Sequence, residues 1–285
     1  MTDVRPQLSA TMLEDLAYCG VRWQFRYGGT FGITEQNIIM PPAVPMAIGT
    51  AVHKAVEVNM RHKMHVKDGS LLPVELVTDA ARDEFTKIAT TEQLYLAPDE
   101  AFDLRKTIGQ AIDQATQLAR VHYCEVAPKI NPLDVERRFV ISMPDYPFDL
   151  KGQIDLVEKD GIIRDTKTKN TIPPKHWPQT MQMAMYAVAW KIDPQLGNRV
   201  ALPSKVAIDC LVKHKAAPEA ITVEAAPEES WLKPLFRRIQ QFAELIDAAR
   251  IDKRQVFTPA KPEDPLCSRR FCPFWRRCPY FSGKD

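Results

Sequence analysis

Two short apolar runs on either side of an Asp160-Gly161 turn, Phe148–Glu158 and Ile162–Thr168, constrain this chain more than any other feature. Both are rich in β-forming residues and bounded by turn signals, so they predict neighbouring strands. Each run carries an acid: Asp155 in Gly152-Gln153-Ile154-Asp155, and Asp165 in Asp165-Thr166-Lys167. If the strands pair as a hairpin turning at residues 159–161, positions 155 and 165 lie nearly opposite, and both carboxylates can project from one sheet face. Like charges that close repel, and a divalent cation is the natural way to neutralise them.

Oxygen ligands with an octahedral shell completed by water suit Mg²⁺ or Mn²⁺. Such an ion polarises a scissile phosphate and lowers the pKa of a bound water. Lys167 shares a strand face with Asp165, where it can orient the attacking water or offset charge developing on phosphorus. The plainer reading of the same residues is a solvated hairpin whose two acids and lysine pair at the surface. Gly152 leans toward chemistry, because glycine in a strand interior admits close approach by backbone or ligand.

His53 is a third candidate ligand, one helical turn after Gly49, where a small residue allows close packing on a sheet. The plainer alternative is a partly exposed core histidine. Imidazole is softer than Mg²⁺ prefers, so its presence leans toward Mn²⁺ tolerance. Gln182 and Tyr186, four residues apart on one predicted helix face, can hold a phosphate or the lysine by hydrogen bonds; ordinary amphipathic polarity explains them equally.

Three of the six cysteines crowd into Cys267-x4-Cys272-x5-Cys278, and two of them precede proline. No apolar run approaches the roughly 18–20 residues that span a bilayer, and Met1–Pro6 lacks a signal-peptide core. The expected compartment is therefore the cytoplasm, with thiols kept reduced. Dense cysteines there read as metal ligands, and Cys19, at the end of the first helix, can supply the missing fourth thiolate. A [4Fe–4S] cluster is favoured over structural Zn²⁺, whose sites usually come as paired knuckles rather than one ligand plus three. Cys124 and Cys210 sit in helix and strand patterns and read as buried apolar residues.

The net charge of +2 gives no global case for a polyanionic partner. Affinity for nucleic acid must come from local clusters such as Arg269-Arg270 and Arg276-Arg277. Along the chain, helical patterns cover residues 8–19, with Ser9 or Thr11 as cap and a Thr11/Glu14 capping box, then 46–64, 72–97 and 99–127. Strands are expected at 135–143, 148–158, 162–168 and 205–213, and helices at 176–191, with Trp177 on its apolar face, and 230–250.

Together, Leu8-Ser9-Ala10-Thr11…Tyr18-Cys19, Gly49-x3-His53, Gly152-x2-Asp155, Asp165-x-Lys167, Gln182-x3-Tyr186 and the cysteine trio resemble the PD-(D/E)xK nuclease superfamily. The likeness is to its RecB-like branch with an iron–sulfur staple, which includes helicase–nuclease domains, stand-alone exonucleases and the CRISPR-associated nuclease that trims prespacers. The resemblance spans nearly the whole chain, with two departures. The branch commonly has Cys-x2-Cys at the start of its trio, and its second core acid is often Glu.

The resemblance implies an α/β, restriction-endonuclease-like core: a central mixed sheet flanked by helices, a helical insertion, and N- and C-terminal segments joined by a metal cluster. It implies one nuclease domain over 1–285: an N-terminal segment 8–30 with the first cluster cysteine, a helical region or lid 46–127, a core 132–250 and a cluster segment 257–285. His53, Asp155, Asp165 and Thr166 would bind Mg²⁺ or Mn²⁺, with Lys167, Gln182 and Tyr186 completing the catalytic set. The implied substrate is DNA, cut exonucleolytically from ends or single strands in recombination, repair or CRISPR adaptation. The implied partners are a recombination, helicase or adaptation protein, with no membrane. The competing class is a non-catalytic DNA-end-binding or assembly module that keeps the fold.

Overall fold

The computed structural model describes residues 5–175, 178–193, 201–214, 217–252, 257–261 and 263–280. Its centre is a six-stranded mixed sheet of β1 (Gln7–Leu8), β2 (Pro132–Ile141), β3 (Asp149–Glu158), β4 (Ile162–Lys169), β5 (Lys205–Val212) and β6 (Glu219–Ala225). The strand β2 runs antiparallel along the length of β3. On the opposite edge of β3, β1 pairs in parallel at Asp149 and Leu150, and β4 pairs antiparallel at Leu156 and Val157. No ladder pair engages residues 151–155 on that edge among the described residues, which opens a gap in the middle of the sheet. Beyond it, β4–β5 is parallel and β5–β6 antiparallel.

Helices cover both faces, because the strands present apolar side chains to either side. One core gathers Ile154, Ile163 and Val206 with α1 (Ala10–Tyr18), α2 (Gly20–Tyr27), α7 (Met181–Ile192) and α8 (Glu229–Ile251). The other packs Val135, Leu156 and Leu211 against α3 (Val44–His65), α4 (Val74–Thr91) and α6 (Leu104–Val121). The short α5 (Pro98–Phe102) precedes α6, and α6 ends in a π-helical turn over His122–Val126. This is the α/β, restriction-endonuclease-like arrangement expected from the sequence.

Several local expectations change. Leu8 does not begin a helix; it lies in β1 opposite Leu150. Ser9 alone is the cap, its hydroxyl accepting from the Met12 backbone N–H at 3.3 Å, so the Thr11/Glu14 box does not form. The aromatic-rich stretch Gly20–Tyr27 is a separate helix, because Cys19 is extended at φ −153° and its Sγ caps that helix by accepting from Arg22 N–H. The strand β6 lacked a clear signal: exposed Thr222 and Glu224 alternate with half-buried Ile221 and Val223, and none of its residues is fully buried, as at a sheet edge. Cys124 is exposed on the π-helical turn, not buried, whereas Cys210 is buried in β5. His176 and Trp177 lie outside the described residues, and α7 begins at Met181 with Thr180 as its cap.

Gly152 has a different role from close approach by a ligand. Its cross-strand partner is Phe139, whose ring fills the volume a Cβ would need. That ring is itself buried and packs edge-on to Tyr186 at 6.1 Å, so it cannot swing clear without disturbing α7. The arrangement is an aromatic side chain covering a strand glycine. Gly152→Ala is expected to destabilise the fold by about 1–3 kcal/mol through overpacking, measured as a lowered denaturation midpoint at unchanged m-value.

Candidate active site

The register Leu156↔Arg164 and Val157↔Ile163, carried one step further, would pair Asp155 with Asp165. The ladder stops there. In its place the Asp155 carboxylate accepts the Thr166 backbone N–H at 2.8 Å, and the strands diverge around the two acids. Alternation along β4 then sends Ile163, Asp165 and Lys167 to one face and Arg164 and Thr166 to the other.

Asp165 is fully buried. Its Oδ1 accepts from Lys167 Nζ at 2.9 Å and from Gln182 Nε2 at 2.9 Å. Its Oδ2 is 2.8 Å from the same ammonium but takes no hydrogen bond. Gln182 Nε2 also donates to Tyr186 Oη at 2.6 Å, and the Tyr186 hydroxyl donates at 2.5 Å to the carbonyl of Gln153 in β3. The helix α7 therefore holds Asp165 and the edge of β3, rather than the lysine as the sequence spacing allowed. From α3, His53 Nδ1 lies 3.3 Å from Asp155 Oδ2. Gly49, one turn earlier, faces Thr168, but a Cβ there would make an ordinary 3.5 Å contact, so close packing does not require glycine.

The site thus brings together His53, Asp155, Asp165, Thr166, Lys167, Gln182 and Tyr186. It also contains a residue the sequence reading missed. Glu136, at the level of Asp155 on β2, places a carboxylate oxygen so that it, a His53 nitrogen and an Asp155 oxygen all lie within 4.8 Å of one another. Glu136 sits in an ordinary β pattern between Val135 and Arg137; its one unusual property, a φ of 56°, is invisible in sequence.

Crowding of acid away from water shifts the titrations. Burial pushes the Asp155 pKa up to about 6; the Asp165 charge adds to this, while His53 and Lys167 oppose it. Burial, then the Asp155 charge, raises Glu136 as well. Burial alone would lower Lys167, but the Asp165 and Asp155 carboxylates outweigh it and hold the ammonium above its ordinary pKa.

Beneath this site lies a buried ion network. Arg164 bonds Glu158 through Nε and Asp209 through Nη1 at 3.0 Å, and Glu224 lies 3.5 Å from Nη2. Asp209 also accepts from Thr222 at 2.7 Å, so one guanidinium ties β3, β4, β5 and β6 together. Nearby His122 is fully buried, and burial, with the Arg164 charge, drops its pKa to about 3, so it stays neutral.

The four remaining predicted residues, Cys19, Cys267, Cys272 and Cys278, come from opposite ends of the sequence to line one small pocket with Val21, Arg22, Phe25, Phe274 and Trp275. Gly20 N–H donates to Thr258 O at 2.8 Å beside them, and Tyr18 Oη donates to Asp264 at 2.8 Å. Burial raises the Cys267 and Cys272 thiols.

A sheet split at two acids, with a lysine beside the second and helices on both faces, is the core of a phosphodiesterase of the restriction-endonuclease type. The sequence matches the PD-(D/E)XK nuclease superfamily over residues 7–279, and the chain belongs to that superfamily: it is a nuclease, with DNA as the substrate the family implies. A crystal structure described as "Putative exonuclease" from Eubacterium rectale is similar over 92% of this chain and 87% of its own, at 12% identity and a TM-score of 0.55, a likeness of fold. A second structure, described as SSO0001, covers 63% of this chain and 77% of its own at 16% identity and a TM-score of 0.33. No curated protein matches the chain in sequence. Among the described residues no helix is long and apolar enough to cross a membrane.

A cation held by Asp155 would have to displace its proton, so Mn²⁺ binding there is expected to weaken as pH falls through about 6. The sign for stability is the reverse. A carboxyl whose folded pKa is raised from 3.8 binds more protons folded than unfolded, so this group stabilises the metal-free chain at low pH, and that contribution is lost as pH rises toward about 6. Thermal unfolding with and without Mn²⁺ should show a Tm gain from the ion at pH 7.5 that shrinks at pH 5.

Proposed function

We propose that this chain is a Mg²⁺- or Mn²⁺-dependent DNA exonuclease of the RecB-like, iron–sulfur branch. The observation that carries the catalytic reading is the buried Asp165, its carboxylate held by Lys167 and Gln182, beside an Asp155 that splits the sheet. The donors fit a hard divalent cation: carboxylate oxygens from Asp155 and Asp165, a backbone position at Thr166 and an imidazole from His53. When bound, the cation supplies Lewis-acid polarisation of the scissile phosphate and a more acidic water. Lys167, protonated because its carboxylate neighbours hold it so, acts as a fixed positive charge toward the phosphorane and positions the attacking water; it is not the proton acceptor. Gln182 and Tyr186 keep Asp165 and the β3 edge in place.

Exonucleolytic action is in keeping with the description "Putative exonuclease" carried by the Eubacterium rectale protein of similar fold; ends or single strands are the DNA this reading assigns. In this reading residues 1–285 are one nuclease domain, the 46–127 helices cover the strand's path, and Arg269, Arg270, Arg276 and Arg277 contact phosphates. The protein works in the cytoplasm with a recombination, helicase or CRISPR-adaptation partner.

Cys19, Cys267, Cys272 and Cys278 hold a structural [4Fe–4S] cluster in this reading. They converge on one pocket, and Cys19 Sγ already accepts a backbone N–H at 3.4 Å, as cluster-bound sulfurs do. A tetrahedral Zn²⁺ would draw the sulfurs to about 3.8 Å of one another; among the described residues the thiols form no group of three within 4.8 Å.

Two measurements test these assignments. Asp165→Ala and Lys167→Ala should each lower metal-dependent degradation of labelled DNA by at least about 10²-fold while circular dichroism and iron content stay unchanged; full activity in pure Asp165→Ala protein sinks the mechanism. The purified chain should be brown with a broad absorption near about 400 nm and carry iron, and Cys278→Ser should lose both. A colourless, zinc-loaded protein would overturn the cluster assignment and leave the nuclease standing.

A further inference from the structure

We infer that the cavity between the helical region and the C-terminal segment binds one unpaired nucleotide of a DNA strand, its base lying against Trp275 and Tyr95 and its phosphates taken by Arg276 and Arg277. The inference rests on the reading of this chain as a DNA nuclease and adds to it a subsite that shares no residue with the acids of β3 and β4.

The cavity encloses about 430 Å³, within the range of pockets that take a small ligand. Met40, Tyr95, Leu96 and Trp275 give it an apolar and aromatic wall, and Arg276 and Arg277 line it beside them. Its two sides come from distant parts of the chain and are bonded to one another. The Tyr95 hydroxyl donates to the Arg269 carbonyl at 2.6 Å and reaches the Cys272 carbonyl at 3.3 Å, and Arg270 pairs with Asp99 at 2.6 Å. The phenol ring is therefore held in place before any ligand arrives, which lowers the ordering cost of binding.

Charge decides what such a cavity holds. From Pro265 to Tyr280 the sequence has four arginines and no acid, in a chain whose net charge is only +2. Arg270 is spent on Asp99, but among the described residues no carboxylate pairs with Arg276 or Arg277, and both are exposed. The larger hollow along α6, about 700 Å³, has the opposite character. There Asp99, Glu100, Asp103 and Asp113 stand against the single lysine Lys106, a lining that repels a polyanion. A DNA strand on this side of the molecule is thus drawn to the arginines.

The rings select the state of that strand. Trp275, Arg276 and Arg277 make up a single 3₁₀ turn, so a half-buried indole and two guanidinium groups fan out from three consecutive residues. An aromatic face for the base beside cations for the backbone is how single strands are held without sequence preference. A base inside a duplex has both faces covered by its neighbours and must be unstacked before it can enter. The exposed Phe271, with the Arg270 guanidinium 5.5 Å from its ring centre, repeats the pairing of ring and cation earlier in the same segment.

The test is fluorescence anisotropy of the purified full chain with a labelled oligothymidylate of about 20 nucleotides, longer than one such subsite, and with a blunt duplex of equal length. Divalent cations are left out so that neither is cut. Trp275→Ala should weaken single-strand binding at least about fivefold, the loss of one stacked base, and leave duplex binding within about twofold. Trp275→Phe keeps a stacking face and should recover most of the loss. Arg276→Gln combined with Arg277→Gln should lower the slope of log Kd against log salt by about 0.7 for each phosphate contact removed. A second readout uses the wild type: a strand carrying 5-iodouracil, which light joins to the rings it stacks on, should crosslink at Trp275 or Tyr95. Should Trp275→Ala not fold, that crosslink decides. If Trp275→Ala binds the single strand as wild type does, or loses duplex binding in equal measure, or if crosslinks fall only on other residues, the inference is overturned and the nuclease reading is untouched. If wild type neither binds DNA nor degrades it with Mn²⁺, the reading as an active DNA nuclease fails, and this inference with it.

Discussion

The Asp155 carboxylate accepting the Thr166 backbone N–H is the bond around which the active half of the molecule is arranged. A buried N–H must be paired. Had β3 supplied a carbonyl, the ladder would have run on past residue 156, and both acids would have sat on a closed sheet with no room between them. A side chain that stands in for the backbone satisfies the donor and lets the strands part. The acid that lets the strands part is thus also one whose surroundings push its pKa up to about 6.

A parted sheet needs support, and Arg164 gives it. One residue before Asp165 and facing the other way, it joins four strands through Glu158, Asp209 and Glu224. Guanidinium stays charged in any environment a protein offers, so these acids keep a partner even though burial raises Asp209. The strand β4 therefore carries polar groups on both faces: Asp165 and Lys167 on one, the Arg164 cross-brace on the other.

The sequence displayed the hairpin, the flanking helices and most of the site because each rests on short-range rules. Alternation and turn residues marked β3 and β4, and four-residue spacing paired Gln182 with Tyr186. What stayed hidden depends on the third dimension. Glu136 reads as one polar residue in an alternating strand until the register sets it against Asp155. Arg164 looks like any strand arginine until Asp209 and Glu158 are seen to converge on it. Gly152 was legible as a place of close approach, but the occupant, the Phe139 ring, is fixed only by the β2–β3 register. The Ser9 cap won over Thr11 because Leu8 is drawn into β1, an effect of a strand more than a hundred residues away.

The meeting of distant segments at the cysteine pocket bears on how the chain comes to be folded. The helix α2 reaches its resting place only with Thr258 against Gly20, Asp264 against Tyr18 and the trio from Cys267 to Cys278 closing over Cys19. During synthesis, residues 7–27 are made before the sheet and yet are secured after it, since their partners follow the whole sheet in the chain. The helices α3, α4 and α6 pack on one another and can settle early. Until their partners are made, residues 7–27 form an unfinished edge carrying Trp23, Val21 and a thiol, and its protection waits on the arrival of residues 257–278.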